Sequence, residues 1–348
     1  MDEGFRFAIV GCGVIAKTHA EAIARMDEAS LVAVADVNVK KAESFGAMHG
    51  AAAYRDYHGM LDRQDIDGVI VCTPSGLHGE IAIAAMQAGK HVIVEKPMDI
   101  SLSRCDEMIG IGERTGKKLA VISQHRFDYA SVFLHQAIGQ GRLGRPVLGD
   151  AHVKWYRKQE YYDSAAWRGT WSLDGGGALI NQSIHTIDLL QWMMGPVESV
   201  HAYATTLTHR MEGEDVAVAA LRFKNGALGV IEGTTSAYPG GKARLEIYGE
   251  RGQVMISGDR LVNWQLADGS EQEVRALMSD PERGSGGTHD PATVWGDAHR
   301  AQLRDFVEAV RTGRAPLVDG YEGRKGLEII LAIYEAARTG QEVRLPSG

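Results

Sequence analysis

FRFAIVGCGVIA, residues 5–16, is the stretch whose reading decides the fold. Phe5 to Val10 is a short apolar run that stops at a glycine. VIAKTHAEAIARM then continues with helical spacing. GCGVIA therefore lies where a strand turns into a helix. In that context Gly11 permits the tight turn, and Gly13 lets the backbone approach a pyrophosphate. Ala16 stands in for the third glycine and keeps helix and strand close. Val14 and Ile15 open the helix, whose free N–H groups and partial positive charge suit a phosphate. Asp36 ends the next apolar run, LVAVAD, about 20 residues on, where a carboxylate accepts from adenosine ribose hydroxyls. The same carboxylate repels a 2′-phosphate, and no Arg follows it in DVNVK, so NAD is expected over NADP. The alternative is a glycine-rich turn with an incidental acidic residue.

Working outward, the apolar runs GVIVCT (68–73), HVIVEKP (91–97) and KLAVISQ (118–124) alternate with helical stretches at 77–88 and 103–115. Val- and Ile-rich runs separated by helices predict a parallel sheet covered on both faces. Right-handed crossovers make it doubly wound. Ligands in such sheets gather at the carboxyl ends of the strands. Thr73, Pro74 and His78 are expected there, although a His at that place more often caps or packs at the helix start. Glu95, Lys96 and Pro97 end the following strand. Lys96 either faces the nicotinamide end of the cofactor or pairs with Glu95 in solvent, and Pro97 is a candidate cis proline. His125 and Arg126 end the last parallel strand and suit either the nicotinamide side or a structural linker.

From about residue 145 the pattern changes to alternating strands such as VESVHAYATTLT, DVAVAALRF and ALGVIEGTTSA, with KNG (224–226) as a hairpin turn. A mostly antiparallel open sheet is expected, forming with helices an α+β domain. The expected division is 1–125 for a Rossmann domain and 126–348 for substrate binding and oligomerisation. The last helix, 322–339, is placed as able to pack back on the first domain. MSDPERGSGGTHDP (278–291) reads as a mobile loop. Within the second domain, LDGGGALINQSIHTIDLLQWMMG (173–195) reads as an apolar helix behind three glycines. Asn181, His185 and Asp188 fall at i, i+4 and i+7, one polar stripe. That stripe suits a catalytic face, or a buried His and Asn satisfying each other. Tyr161, Trp167 and Arg168 lie in a segment rich in aromatics and arginine, which suits a sugar ring and an anionic group or a subunit interface.

Composition narrows the partners. The 348 residues suit two domains. At 44% hydrophobic and 24% charged residues the chain is of ordinary globular type, and a net charge of −8 argues against nucleic acid. Three cysteines without a CxxC pair suit a reducing compartment. The first residues lack the basic segment and apolar run of a secretory signal, and no run is long enough for a membrane span. The expected location is cytoplasmic. The histidines show no HExxH or paired-ligand spacing, so no metal site is expected.

GCGVIA, TPSGLH, VEKP and GGGALINQSIHTIDLL, in that order, resemble the glucose–fructose oxidoreductase / inositol dehydrogenase / MocA (Gfo/Idh/MocA) family across nearly the whole chain. The resemblance implies an NAD-dependent oxidoreductase that moves hydride between the nicotinamide and a secondary hydroxyl. The substrate would be a sugar, sugar acid, nucleotide sugar or cyclic polyol. It implies Lys96 and His185 as catalytic residues, His185 taking the hydroxyl proton, and a homodimer or homotetramer. Many members, including inositol dehydrogenases, have Asp where Asn181 stands. An amide cannot take a proton, though it can orient a hydroxyl or the ring. The WRGTW and DGGGAL pattern resembles a subset that includes nucleotide-sugar 3-dehydrogenases. The alternatives are an NAD-dependent glycosidase acting by transient oxidation and a non-catalytic dinucleotide sensor. The redox reading expects the Lys96 ammonium and His185 imidazole to converge near the nicotinamide.

Overall fold

A computed structural model describes residues 4–267, 269, 274 and 296–346. The segment 278–291, expected to be a mobile loop, lies outside them. The chain divides into two compact units, Met1–Gln124 with Trp295–Arg324, and His125–Val294 with Lys325–Gly348.

The first unit is built on six strands: β1 (Phe5–Val10), β2 (Ala29–Ala35), β3 (Ala52–Tyr54), β4 (Gly68–Val71), β5 (His91–Val94) and β6 (Leu119–Val121). They pair in the order β3-β2-β1-β4-β5-β6, every pairing parallel. The order reverses between β1 and β4, so their carboxyl ends flank the topological switch point where dinucleotides bind. β4 is buried along its whole length, as a sheet covered on both faces requires. The intervening helices are α1 (Val14–Ala24), α2 (Val39–His49), α3 (Tyr57–Leu61), α4 (His78–Gln87) and α5 (Leu102–Thr115). Asn38 caps α2 by accepting from the Lys41 N–H.

The second unit begins with α6 (Tyr129–Gly139), β7 (Pro146–Lys154) and α7 (Gln159–Asp163). A π-helical turn (Ala178–Ser183) leads into α8 (Ile184–Met194). Then come β8 (Val197–Thr205), β9 (Val216–Phe223), β10 (Leu228–Thr234), β11 (Arg244–Gly249), β12 (Gly252–Ser257) and β13 (Arg260–Leu266). With β14 (Val343–Arg344) they form one sheet, ordered β13-β12-β11-β7-β10-β9-β8-β14. All its pairings are antiparallel except β7 with β10. The β9–β10 hairpin turns at Lys224–Gly226, with Gly226 at positive φ, as its sequence requires. Helix α8 packs on β7 and β11. The opposite face of the sheet leaves Tyr203, Val218 and Leu228 exposed.

One boundary differs from expectation. The helix α9 (Gly296–Thr312) belongs to the first unit, as does the start of α10 (Gly320–Thr339). Leu303, Phe306 and Val307 of α9 join the core of Phe5, Phe7, Ile23 and Ile70, with Phe306 edge-on to Phe5. The amphipathic pattern of α9 marks which face is buried, but not which core receives it.

Candidate active site

In the first unit, Gly11 has φ +92, and a Cβ there would stand 2.7 Å from the Cys72 carbonyl oxygen. Only glycine fits that turn. Gly13 precedes α1 in extended conformation and nothing lies where its Cβ would be, so the backbone is open to an approaching phosphate. Val14 is exposed beside it and Ile15 half-buried. The Asp36 carboxylate accepts from the Cys12 N–H at 2.9 Å and from the Asn38 N–H at 2.9 Å. Lys41 stands 3.8 Å away. The carboxylate is thereby fixed at the end of β2, next to the glycine turn. Burial, then the charge of Asp36, push the Cys12 thiol up to about 11, so it is an inert filler there.

Thr73 and Pro74 follow β4, Thr73 half-buried. His78 opens α4. It is 1% exposed, and its ring nitrogens lie 2.9 Å from the Pro97 carbonyl and 2.8 Å from the Thr73 carbonyl. Burial pulls its pKa down despite those acceptors. His78 therefore ties two strand-end loops together. Glu95 directly follows β5. Its Oε1 lies 2.7 Å from His19 Nε2 and its Oε2 accepts from the Lys96 N–H at 3.1 Å, deep in the protein. Lys96 itself is half-buried, and its bond to Pro97 is cis.

In the second unit, the helix of the polar stripe starts later and more loosely than its sequence suggests. Residues 178–183 form a π-turn, and regular α geometry begins at Ile184. Such turns widen the helix and re-aim side chains. Two of the three glycines before it answer to packing within this unit. A Cβ on Gly177 would overlap the Glu214 carbonyl, and one on Gly176 the Tyr334 ring. Glu214 caps the turn. Its Oε1 accepts from the Leu179 N–H at 2.7 Å and from the Tyr334 hydroxyl at 3.0 Å, and its Oε2 from the Gly177 N–H at 3.0 Å. Burial outweighs these donors and raises its pKa to about 7.

His185 is half-buried, its ring edge-to-face with His125 at 5.2 Å. Burial disfavours the charged form of His125, but the Asp128 carboxylate at 2.5 Å outweighs it, and the net pKa is raised. Arg126 follows His125 in the sequence. It is fully buried, bidentate to Asp188 at 2.8 and 2.6 Å, and lies over the Trp192 ring. These contacts anchor α8 to the segment before α6. Asp188, the last member of the stripe, is its counter-ion.

Asn181 donates from Nδ2 to Asp174 at 2.6 Å and accepts at Oδ1 from Gln182 at 2.7 Å. Gln182 also donates to the Tyr161 hydroxyl at 2.8 Å and accepts from Arg157 at 3.0 Å. Arg168 donates to the same Tyr161 hydroxyl at 2.7 Å. Its guanidinium lies 4.4 Å from the Tyr161 ring centre and 4.7 Å from that of Trp167. Arg157 stacks over Trp155 and Tyr161. Two guanidinium groups, two amides, a carboxylate and a phenol thus share one network, whose amides lie about one turn before His185. Gln182 and Asp174 were not singled out by sequence. Gln182 sits one place outside the i, i+4, i+7 stripe, and only the π-turn makes it a partner of Arg157. Tertiary folding also gathers His19, Glu95 and His299, and separately Asp150, His152 and Glu246, with no spacing signal in the sequence.

A parallel 3-2-1-4-5-6 sheet with its glycine turn and acidic strand end, joined to an α+β sheet unit, defines a two-domain dinucleotide-dependent oxidoreductase. Residues 5–123 match the model of the oxidoreductase family NAD-binding Rossmann fold, and residues 135–345 the C-terminal alpha/beta domain of the same family. The chain belongs to the Gfo/Idh/MocA oxidoreductase family. It is 29% identical to myo-inositol 2-dehydrogenase of Thermotoga maritima over 98% of each chain. The WlbA dehydrogenase of Bordetella pertussis, solved with NADH and UDP-GlcNAcA, superposes with TM-score 0.90 at 38% identity. That match covers 100% of this chain and 99% of the other. A second WlbA dehydrogenase, from Chromobacterium violaceum and solved with the same two ligands, gives 0.90 at 35% identity over 100% and 98%. The protein is accordingly an NAD(H)-dependent dehydrogenase acting on CH–OH groups of carbohydrates. Among the described residues no helix is long and apolar enough to cross a membrane.

Proposed function

We propose that this enzyme oxidises a secondary hydroxyl on the ring of a nucleotide-linked sugar acid, with NAD+ as acceptor. The observation that carries the reading is the Arg157–Gln182–Tyr161–Arg168 network, whose Gln182 stands three residues before His185. A guanidinium gives planar, bidentate recognition of carboxylate or phosphate, which a neutral polyol does not need. Asn181 in place of Asp weighs against an inositol substrate, and the ligand of the WlbA relatives carries both a carboxylate and a diphosphate.

In this reading hydride leaves the substrate carbon for the nicotinamide, and the hydroxyl proton goes to His185, a base suited to neutral pH. Lys96 stabilises the developing alkoxide. Asn181, Tyr161, Trp167 and Arg168 orient the sugar. Gly11, Gly13, Val14, Ile15, Asp36, Thr73 and Pro74 hold the dinucleotide, and Asp36 selects NAD over NADP by repelling a 2′-phosphate. Two copies pair through the exposed sheet face of Tyr203, Val218 and Leu228. A monomer mass by light scattering at micromolar protein contradicts that pairing. The substrate test is NADH formation with UDP-GlcNAcA, UDP-GlcNAc, myo-inositol and scyllo-inositol. The uronic acid is expected to be preferred by at least about 10²-fold in kcat/KM, as for a site built around a charged group. Equal rates with the inositols overturn the assignment.

A further inference from the structure

We infer that His19, Glu95 and His299 form a buried positioning triad that holds the Lys96 peptide and the charge of its ammonium, linking Lys96 to the helix of the dinucleotide turn. The inference rests on the proposed catalytic role of Lys96.

The three residues come from three elements of the first unit. His19 lies in α1, directly behind the glycine turn. Glu95 follows the last residue of β5, and His299 lies in the first turn of α9. Their exposures are 0%, 6% and 1%, so bulk water screens none of them. The two oxygens of Glu95 are divided. Oε1 meets His19 Nε2 at 2.7 Å, and Oε2 accepts the Lys96 N–H at 3.1 Å. The His299 ring stands edge-to-face on His19 at 5.3 Å. A metal in their midst would force His19 and Glu95 apart, because zinc bonds of about 2.1 Å at tetrahedral angles separate ligand atoms by about 3.4 Å. The contact at 2.7 Å is instead a charge-assisted hydrogen bond.

Burial alone would raise the Glu95 carboxyl. The His19 hydrogen bond and the charges of His19, His299 and Lys96 together hold it at about 2, so it stays ionised. His78 and the Cys72 thiol also face this carboxylate electrostatically. A fixed buried anion next in sequence to Lys96 favours its ammonium form, and the same carboxylate pins its main chain. His19 fixes the carboxylate from α1. The positions of the dinucleotide turn and of Lys96 are therefore set by one hydrogen-bonded chain. His19, Glu95 and His299 are positioning residues, since none needs to touch substrate.

The test uses the full chain saturated with NADH, reductively 13C-methylated, with the Lys96 resonance assigned by its loss in Lys96→Ala. Glu95→Gln is expected to lower the titration midpoint of Lys96 by about one unit. His19→Gln, whose amide nitrogen reaches about where Nε2 stands, is expected to keep most of the wild-type value. In NADH formation with UDP-GlcNAcA, His19→Leu and Glu95→Gln each lower kcat by on the order of 10²-fold, the scale of a small misplacement. KM and the NADH dissociation constant stay within about threefold, and the double variant is no worse than the poorer single one. If His19→Leu does not fold, the contrast between His19→Gln and Glu95→Gln decides. An unmoved midpoint, additive losses, or stoichiometric zinc in the purified protein overturns the triad. Lys96→Ala at wild-type rate overturns instead the catalytic reading of Lys96.

Discussion

Replacing Glu214 by Gln isolates the cap that holds the start of the His185 helix. The Glu214 carboxyl is buried and its pKa rises from 4.5 to about 7, chiefly by desolvation, against the two N–H groups and the phenol that donate to it. A raised value means that the folded state binds this proton more tightly than the unfolded chain does. The associated stability is fully present below about pH 4.5 and is lost as pH rises to about 7. At about 1.4 kcal/mol per unit, the shift corresponds to roughly 3 kcal/mol across that window. Glutamine keeps an acceptor but cannot titrate, so its stability lacks this component. The gap between wild type and Glu214→Gln should therefore change by roughly 3 kcal/mol from pH 4.5 to pH 7.5, with wild type relatively weaker at the higher pH. For a unit of this size that is a relative change of about 10 °C in melting temperature. Denaturation followed by calorimetry or fluorescence at four or five pH values reads it directly. A gap that stays constant with pH means the carboxylate is ionised throughout and its donors outweigh burial, which refutes the reasoning.

Other outcomes follow from the same geometry. Asp188→Ala leaves the buried Arg126 guanidinium without its bidentate partner and should cost about 3–5 kcal/mol, read as a fall in unfolding midpoint; a change below about 1 kcal/mol contradicts it. Gly11→Ala places a Cβ against the Cys72 carbonyl at positive φ and should abolish measurable NADH binding by fluorescence, whereas wild-type affinity would place the dinucleotide elsewhere. Asp36→Ser should raise the NADP-to-NAD ratio of kcat/KM by at least about tenfold, the worth of a charged hydrogen bond to ribose; an unchanged ratio removes Asp36 from cofactor selection.

The parallel sheet was legible because β1, β4 and β5 are continuous apolar runs closed by turn residues, and GCGVIA names its own strand–turn–helix context. The β9–β10 hairpin was equally plain from KNG. The short β3 and its preceding helix α2 were not read, because AAAY and VKKAESFGAMH carry little periodic apolar signal. Strand-end position left Arg126 and His78 open between a cofactor and a structural role, and put Glu95 beside the cofactor. Each also meets a buried partner, Asp188, the Pro97 and Thr73 carbonyls, or His19, that no sequence window contains. Strand position says which end of the sheet a residue occupies. Whether its polar group meets a ligand or a buried partner depends on packing from distant elements. The same limit hid the π-turn. An i, i+4, i+7 stripe assumes regular α geometry, and the close approach of Gly177 to Glu214 is a tertiary fact.

The central claim is redox chemistry on a charged sugar by Lys96 and His185. Its most direct measurement is NADH formation from NAD+ and UDP-GlcNAcA by wild type, Lys96→Ala and His185→Ala, with NADH affinity measured in parallel. Steady turnover by wild type is expected, with each variant slower by roughly 10²–10⁴-fold at unchanged NADH affinity. Wild-type rates in both variants, or no hydride transfer from any nucleotide-linked sugar, would contradict it.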